Sequence, residues 1–276
     1  MGIVSSIKNE ALGNKTKIQT SESAKLEAIL NKMFYLEKKA DEESEFVKQV
    51  CTRGLETQER VGLHASALIV PDNKFCYREQ VLSLFYKQLQ GEQINVNLRR
   101  IFEEGNAIHE KWQRLFIRGG YSKVSELDVT KIHEKYEVSN TPDIICRIPE
   151  FYDGKMIGEI KSVNTFQYKK MEHHPSAGKQ LQWYMFLRGI KKGFVLCEDK
   201  NTQEFKVEVI DFDENAVIEF IDRCENIQDY KQRLINDHKL VSRCRDCKSY
   251  DCKRAEKCAM KDVCWNRGKG KIKLNN

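Results

Sequence analysis

The sequence predicts an α/β chain: a small mixed sheet flanked by helices on both faces, helices before it, and a cysteine-rich basic segment after it. Three observations lead there. Runs of β-branched residues alternate with turn signals in the middle of the chain. Segments with apolar residues at helical spacing flank those runs. Five cysteines and the surplus of positive charge crowd into the C-terminal tail.

Taken in order, Leu26 to Val50 reads as one or two amphipathic helices, whose alternating acids and bases suit a solvated outer face. Cys76 and Tyr77-Arg78-Glu79 open an apolar helix through Val81 to Tyr86. Leu98, Ile101, Phe102, Ile108, Trp112, Leu115 and Phe116 mark a further helix, which carries His109. Ile144 to Ile148 reads as a strand, Tyr152-Asp153-Gly154-Lys155 as a turn, and Met156 to Lys161 as the partner strand. A helix from Ser176 to Gly189 follows, then strands at Gly193–Cys197 and Phe205–Ile210 around a turn at Asp199-Lys200-Asn201. A long helix from Glu214 to Ile235 closes the core. The expected division is a helical segment over 1–60, a core over 61–238, and a basic cysteine-rich segment over 239–276 packed on that core.

With 276 residues, 40% hydrophobic and 32% charged, the chain is long enough to bury a sizeable core. No apolar run approaches the roughly 18 residues a membrane helix needs, so no membrane partner is expected. Met1-Gly2-Ile3-Val4-Ser5-Ser6 runs into charged residues, unlike a secretory leader. It also formally matches a myristoylation signal, but lacks the polybasic patch that stable anchoring needs. Charge is uneven: the tail from Lys239 holds twelve Lys or Arg against four Asp or Glu, whereas the whole chain carries only +6. Such a tail suits a nucleic-acid backbone, with Trp265 and Arg267, Lys269, Lys271 and Lys273 adding stacking and charge. Charge that merely solvates the tail is the plainer reading.

The chemistry concentrates around the predicted hairpin. Residues i and i+2 of a strand point to one side, so Glu159 and Lys161 project together while Ile160 faces away. Antiparallel pairing brings Asp143, at the start of one strand, close to Glu159 on the other. Two carboxylates so placed suit a hard cation such as Mg²⁺ or Mn²⁺. Such an ion polarises a phosphoryl oxygen and lowers the pKa of a bound water, and a lysine beside it stabilises developing negative charge. Read alone, Glu159-Ile160-Lys161 is an ordinary surface hairpin pair. His109 upstream and Gln180 and Tyr184 downstream, one helical turn apart on one face, add to it.

The order His109, Asp143, Glu159-Ile160-Lys161, Gln180-xxx-Tyr184 resembles the RecB-like branch of the PD-(D/E)XK nucleases. It is most similar to the CRISPR-associated RecB-like exonucleases and to the nuclease domain of AddB-type recombination enzymes. The resemblance covers about residues 60 to 265 and implies a restriction-endonuclease-like core. It implies that His109, Asp143, Glu159 and the carbonyl of Ile160 ligate Mg²⁺ or Mn²⁺, that Lys161 is the catalytic lysine, and that Gln180 and Tyr184 support the site and touch the DNA strand. His173 and His174 read as a loop edging the site.

Clustered cysteines in a reducing compartment are metal ligands more often than disulfides. In the families just named, one cysteine before the core and three after it hold a [4Fe–4S] cluster that clasps the two flanks together. By that resemblance Cys76 is the early ligand, and the late ones come from Cys244, Cys247, Cys252, Cys258 and Cys264, whose spacing leaves the choice of three open. A zinc site built from the tail alone is the alternative. Cys146, Cys197 and Cys224 read as buried small hydrophobes, and Cys51 as ambiguous.

The expected function is therefore that of a metal-dependent DNA nuclease, an exonuclease on single-stranded ends, in the cytoplasm of a microbe or, for a phage protein, of its host. It lacks a helicase motif, which leaves room for a helicase or recombination partner. The alternative is a non-catalytic nucleic-acid-binding protein with a zinc- or Fe–S-stapled basic tail.

Overall fold

The computed structural model describes residues 21–36, 45–46, 62–86, 96–174 and 176–265. The rest of the stretch expected to be helical up to Val50, Cys51, and the basic residues from Arg267 to Lys273 lie outside the described residues. In chain order the elements are α1 (21–33), β1 (Leu63–His64), α2 (Tyr77–Ser83), α3 (Val96–Arg118), β2 (Lys131–His133), β3 (Val138–Asn140), β4 (Ile144–Ile148) and β5 (Tyr152–Val163). Then come α4 (Thr165–Lys170), α5 (Ala177–Arg188), β6 (Lys192–Asp199), β7 (Phe205–Asp211), α6 (Ile218–Asp237), α7 (Lys253–Glu256) and α8 (Lys261–Trp265). The architecture is α/β, with two small mixed sheets flanked by helices. The chain divides into two compact units: Met1–Leu55, Ile101–Val129 and Thr141–Asp213 form the first, and Glu56–Arg100, Thr130–Asn140 and Glu214–Asn276 the second.

The first unit is built on a four-stranded sheet in the order β4-β5-β6-β7, with β5 and β6 parallel and the other pairs antiparallel. β5 lies inside the sheet, and its central residues Met156 to Ile160 are all buried, as expected of a strand covered on both faces. Gly158 belongs there because any side chain would collide with the Phe194 ring, 2.5 Å from where a Cβ would stand. Phe194 in turn stacks on Phe116 of α3 at 5.8 Å. Trp112 and Phe116 of α3 and Leu26, Leu30 and Met33 of α1 complete that side of the core. α1 also blunts the sheet edge: Glu27 Oε1 accepts from the Val207 N–H at 2.7 Å and Ser23 Oγ from that of Val209 at 3.2 Å. α5 covers the opposite face, with Leu181 against Gly193.

The hairpin turn is not where the sequence suggested. It falls at residues 149–151, and the strand already begins at Tyr152. Register shifts between Arg147, opposite Lys155, and Ile148, opposite Tyr152, so Asp153 and Gly154 form a bulge. Gly154 lacks a side chain because the Tyr152 ring occupies that space, 2.4 Å from a Cβ built there. Glu159 therefore sits in mid-strand, not at the strand's end.

The second unit holds a three-stranded sheet, order β1-β3-β2, that sequence patterning missed. Its strands are two or three residues long, and β1 pairs in parallel with β3. Beside it runs α6, where the buried Arg223 donates to the carbonyls of Leu68 and Val70 and to Asp72 Oδ1 at 2.6 Å. Cys224 is buried on the same helix, and Cys146 and Cys197 are buried in β4 and β6. Among the described residues, no helix is long and apolar enough to cross a membrane.

Candidate active site and cysteine cluster

The residues singled out around the hairpin all lie in the first unit and meet at one corner of its sheet. Ile144 pairs with Gly158, which places the preceding Asp143 beside β5. There Asp143 Oδ2 accepts from the Ile160 N–H at 2.7 Å, extending the ladder with a side chain. The N–H and C=O of one strand residue point to the same edge, so the Ile160 carbonyl opens toward the same corner. α3 supplies His109, whose Nδ1 is 3.3 Å from Asp143 Oδ1. Glu159 and Lys161 project together: Lys161 Nζ donates to Glu159 Oε1 at 2.5 Å and lies 3.5 Å from Gln180 Oε1. Gln180 Nε2 donates to the buried Tyr184 hydroxyl at 2.9 Å, one turn along α5. That hydroxyl also meets the backbone of Thr141, so Gln180 and Tyr184 link Lys161 to the loop carrying Asp143.

The electrostatics set the two acids apart. Burial and the neighbouring Asp143 carboxylate push the Glu159 carboxyl up to about 8, against the pull of Lys161 and His109. Asp143 is half-buried, and desolvation acts to raise it, but His109, Lys161 and the Ile160 N–H outweigh that and hold it below the usual carboxylate range. Burial acts to lower His109, yet the Asp143 carboxylate raises it overall; Lys161 is likewise raised, by Glu159 and Asp143 over burial. Glu159 is 1% exposed, and its Oε2 has no hydrogen-bond partner among the described residues. An orphaned acid oxygen on a side chain that feels both a second carboxylate and an imidazole fits a divalent cation by its donor chemistry. Among the described residues, no three His, Cys, Asp or Glu side chains form a group ready to hold an ion. Here the acids are engaged by His109, Lys161 and a backbone N–H, and a cation would compete for them.

One positioning residue escaped the sequence. Gln113 is 1% exposed, and its Nε2 donates to the Asp143 carbonyl at 2.9 Å and to Asp128 Oδ2 at 2.8 Å, fixing the backbone that presents Asp143. It stands four residues after His109 on α3, and that spacing was the available signal. His174 lies near Lys161 and accepts from the Ala177 N–H at the start of α5, while His173 pairs with Glu208 at 2.9 Å.

The six candidate ligand cysteines lie in the second unit. Cys76 immediately precedes α2, and Cys76, Cys244, Cys247, Cys258 and Cys264 line one small cavity with Glu79, Arg243 and Arg254. Burial is the first cause that raises Cys76 to about 11 and Cys258 to about 12. The Cys252 side chain meets Cys247 at the edge of that cavity, caps α7 by accepting from the Ala255 N–H at 3.4 Å, and is lowered to about 7 by backbone N–H groups. α2 is tied to the tail by Arg78, which donates to the carbonyls of Val241 and Cys264, and by Arg254, which reaches Glu79 at 3.0 Å. Trp265, expected to be open for stacking, has the Arg243 guanidinium 3.9 Å from its ring and packs beside Leu82 and Met260.

No family model matches the sequence, and no curated protein is similar to it. Among solved structures, the chain is similar to the alkaline exonuclease LHK-Exo of Laribacter hongkongensis in complex with dAMP, at 18% identity and a TM-score of 0.48, covering 64% of this chain and 91% of that one. It is also similar to a phage-related exonuclease from Haemophilus somnus 129PT, at 15% identity and a TM-score of 0.40, covering 65% of this chain and 97% of that one. Likeness at this level leaves the chemistry to be read from the site.

Proposed function

We propose that the chain is a metal-dependent DNA nuclease of the PD-(D/E)XK, RecB-like type, with a restriction-endonuclease-like core in its first unit, acting as an exonuclease on single-stranded ends. The observation that carries this reading is the buried Glu159 carboxyl, its Oε2 unpartnered and its pKa raised, beside Asp143, His109 and Lys161. Asp143, Glu159, His109 and the Ile160 carbonyl would hold Mg²⁺ or Mn²⁺. The bound ion supplies a Lewis acid for a phosphoryl oxygen and a water of lowered pKa. Lys161 donates to the attacking water or to the charge growing on phosphorus. Gln180 holds Lys161 on its second side, and Tyr184 holds Gln180.

The test is incubation of a labelled single-stranded oligonucleotide with the chain in EDTA and then in Mn²⁺. Degradation should require the metal and fall at least about 100-fold in Asp143→Ala and in Glu159→Ala. Degradation untouched by both substitutions removes this corner from the chemistry. Binding without degradation by any form leaves the non-catalytic binding protein.

For the cysteines, the reading is a structural [4Fe–4S] cluster on four of Cys76, Cys244, Cys247, Cys252, Cys258 and Cys264. Zinc on thiolates of the same tail is the alternative: one tetrahedral ion gathers four donors about 2.3 Å from a single centre, whereas a cluster spreads its thiolates over several irons. Anaerobically purified chain should contain iron and acid-labile sulfide, and Cys76→Ser should lower both. Stoichiometric zinc with no sulfide overturns the cluster.

A further inference from the structure

Beside the candidate active site, still within the first unit, an open groove of about 680 Å³ runs between α4 and the start of α5. Clefts that take small ligands span roughly 300–1,000 Å³. Its floor is Ser162 and Val163, the continuation of β5 directly past Lys161. One wall is Phe166, 67% exposed, with Lys170 Nζ 4.0 Å from the ring centroid; the other is formed by His173 and His174.

Phe166 has no packing role that would explain its type. The apolar anchor of α4 is Tyr168, which is buried against Val163 and Cys197. Phe166 instead carries Lys170 Nζ over one ring face and turns the rest of the ring to solvent, in a groove whose lining begins one residue past Lys161. Lys169 and Lys170 are exposed on the same short helix, and on the opposite wall His174 accepts the Ala177 N–H through Nδ1. That bond puts the imidazole proton on Nε2, where it can be donated. Glu172 on the rim and Glu208, paired with His173, offset Lys169 and Lys170 one for one, so the aromatic face and the placement of Lys170, not net charge, distinguish the groove.

We propose that this groove takes a single-stranded DNA end, with Phe166 as the platform on which one base stacks and Lys170 beside it for the phosphate. The proposal rests on the nuclease reading and adds the route by which the strand reaches Lys161. The preference follows from the aromatic: a base can stack on a side chain only when its π-face is free, and in a duplex the neighbouring pairs occupy it.

The experiment reads binding with no hydrolysis, by fluorescence anisotropy of a labelled oligo-dT and of a blunt duplex in EDTA. Phe166→Ala should weaken oligo-dT binding by about tenfold. Phe166→Trp should bind at least as well as the native chain, and duplex binding should be the same in all three. Equal oligo-dT affinity in the native chain and Phe166→Ala overturns the proposal, as does an equal loss on the duplex or no oligo-dT binding by the native chain. If Phe166→Trp falls with Phe166→Ala, the groove depends on shape and the stacking role is wrong. Since no metal is present, a chain that binds as expected but never cleaves defeats the nuclease reading alone. A chain that cleaves but ignores Phe166 defeats only this proposal.

Discussion

Lys161→Met should lower Mn²⁺-dependent cleavage of single-stranded DNA by about 100- to 1,000-fold, with oligo-dT affinity in EDTA unchanged. Methionine keeps most of the unbranched stem but removes the ammonium, which here donates to Glu159 and stands beside Gln180. In the ground state that ammonium is held among acids; in the transition state it meets charge that develops on phosphorus. Only the second interaction accelerates the reaction, so the loss should appear in the single-turnover rate. Lys161→Arg should recover little of it, because a planar fork cannot stand where a compact ammonium fits between Glu159 and Gln180. A Lys161→Met chain that cleaves at the native rate would remove Lys161 from the mechanism and leave it as a partner for a buried acid.

The site was more legible in the sequence than the fold around it, for a physical reason. Glu159 and Lys161 share a side by the two-residue period of a strand, and Gln180 and Tyr184 by the helical turn. Both are local rules, and the structure places both pairs at one corner. Asp143 needed only antiparallel pairing, which survives an error in the turn. Asp153-Gly154 misled because that dipeptide marks bulges as well as turns, and the deciding contact, the Tyr152 ring over Gly154, is invisible in composition. The three-stranded sheet was illegible because Leu63-His64 is too short to show alternation and its partner, Val138-Ser139, is far along the chain. Gln113 carries no motif beyond its place one helical turn after His109, and its contact with the Asp143 carbonyl is what gives it a role. Spacing left the late cysteines unresolved. Folding sets five of the six candidate cysteines around one cavity and brings the sixth, Cys252, against Cys247 while it caps α7.

Glu159→Gln should stabilise the metal-free chain, and the gain should widen as pH rises. In the fold Glu159 holds its proton until about 8, whereas in the unfolded chain the proton leaves near the ordinary carboxyl value of 4.5. Between those values the native state binds more protons than the unfolded one. Stability therefore falls as pH rises through that window, by up to about 1.4 kcal/mol per pH unit. Glutamine imitates the protonated acid and does not titrate, so it escapes this loss. In EDTA, the melting temperature of Glu159→Gln minus that of the native chain should grow by about 5 °C between pH 5 and pH 7, then level off above 8. Added Mn²⁺ should close the gap by stabilising the native chain alone, since a bound cation favours the ionised carboxylate that only it possesses. A difference that stays flat with pH would mean that Glu159 is ionised without a cation, paired fully by Lys161. The orphaned oxygen would then no longer argue for a metal.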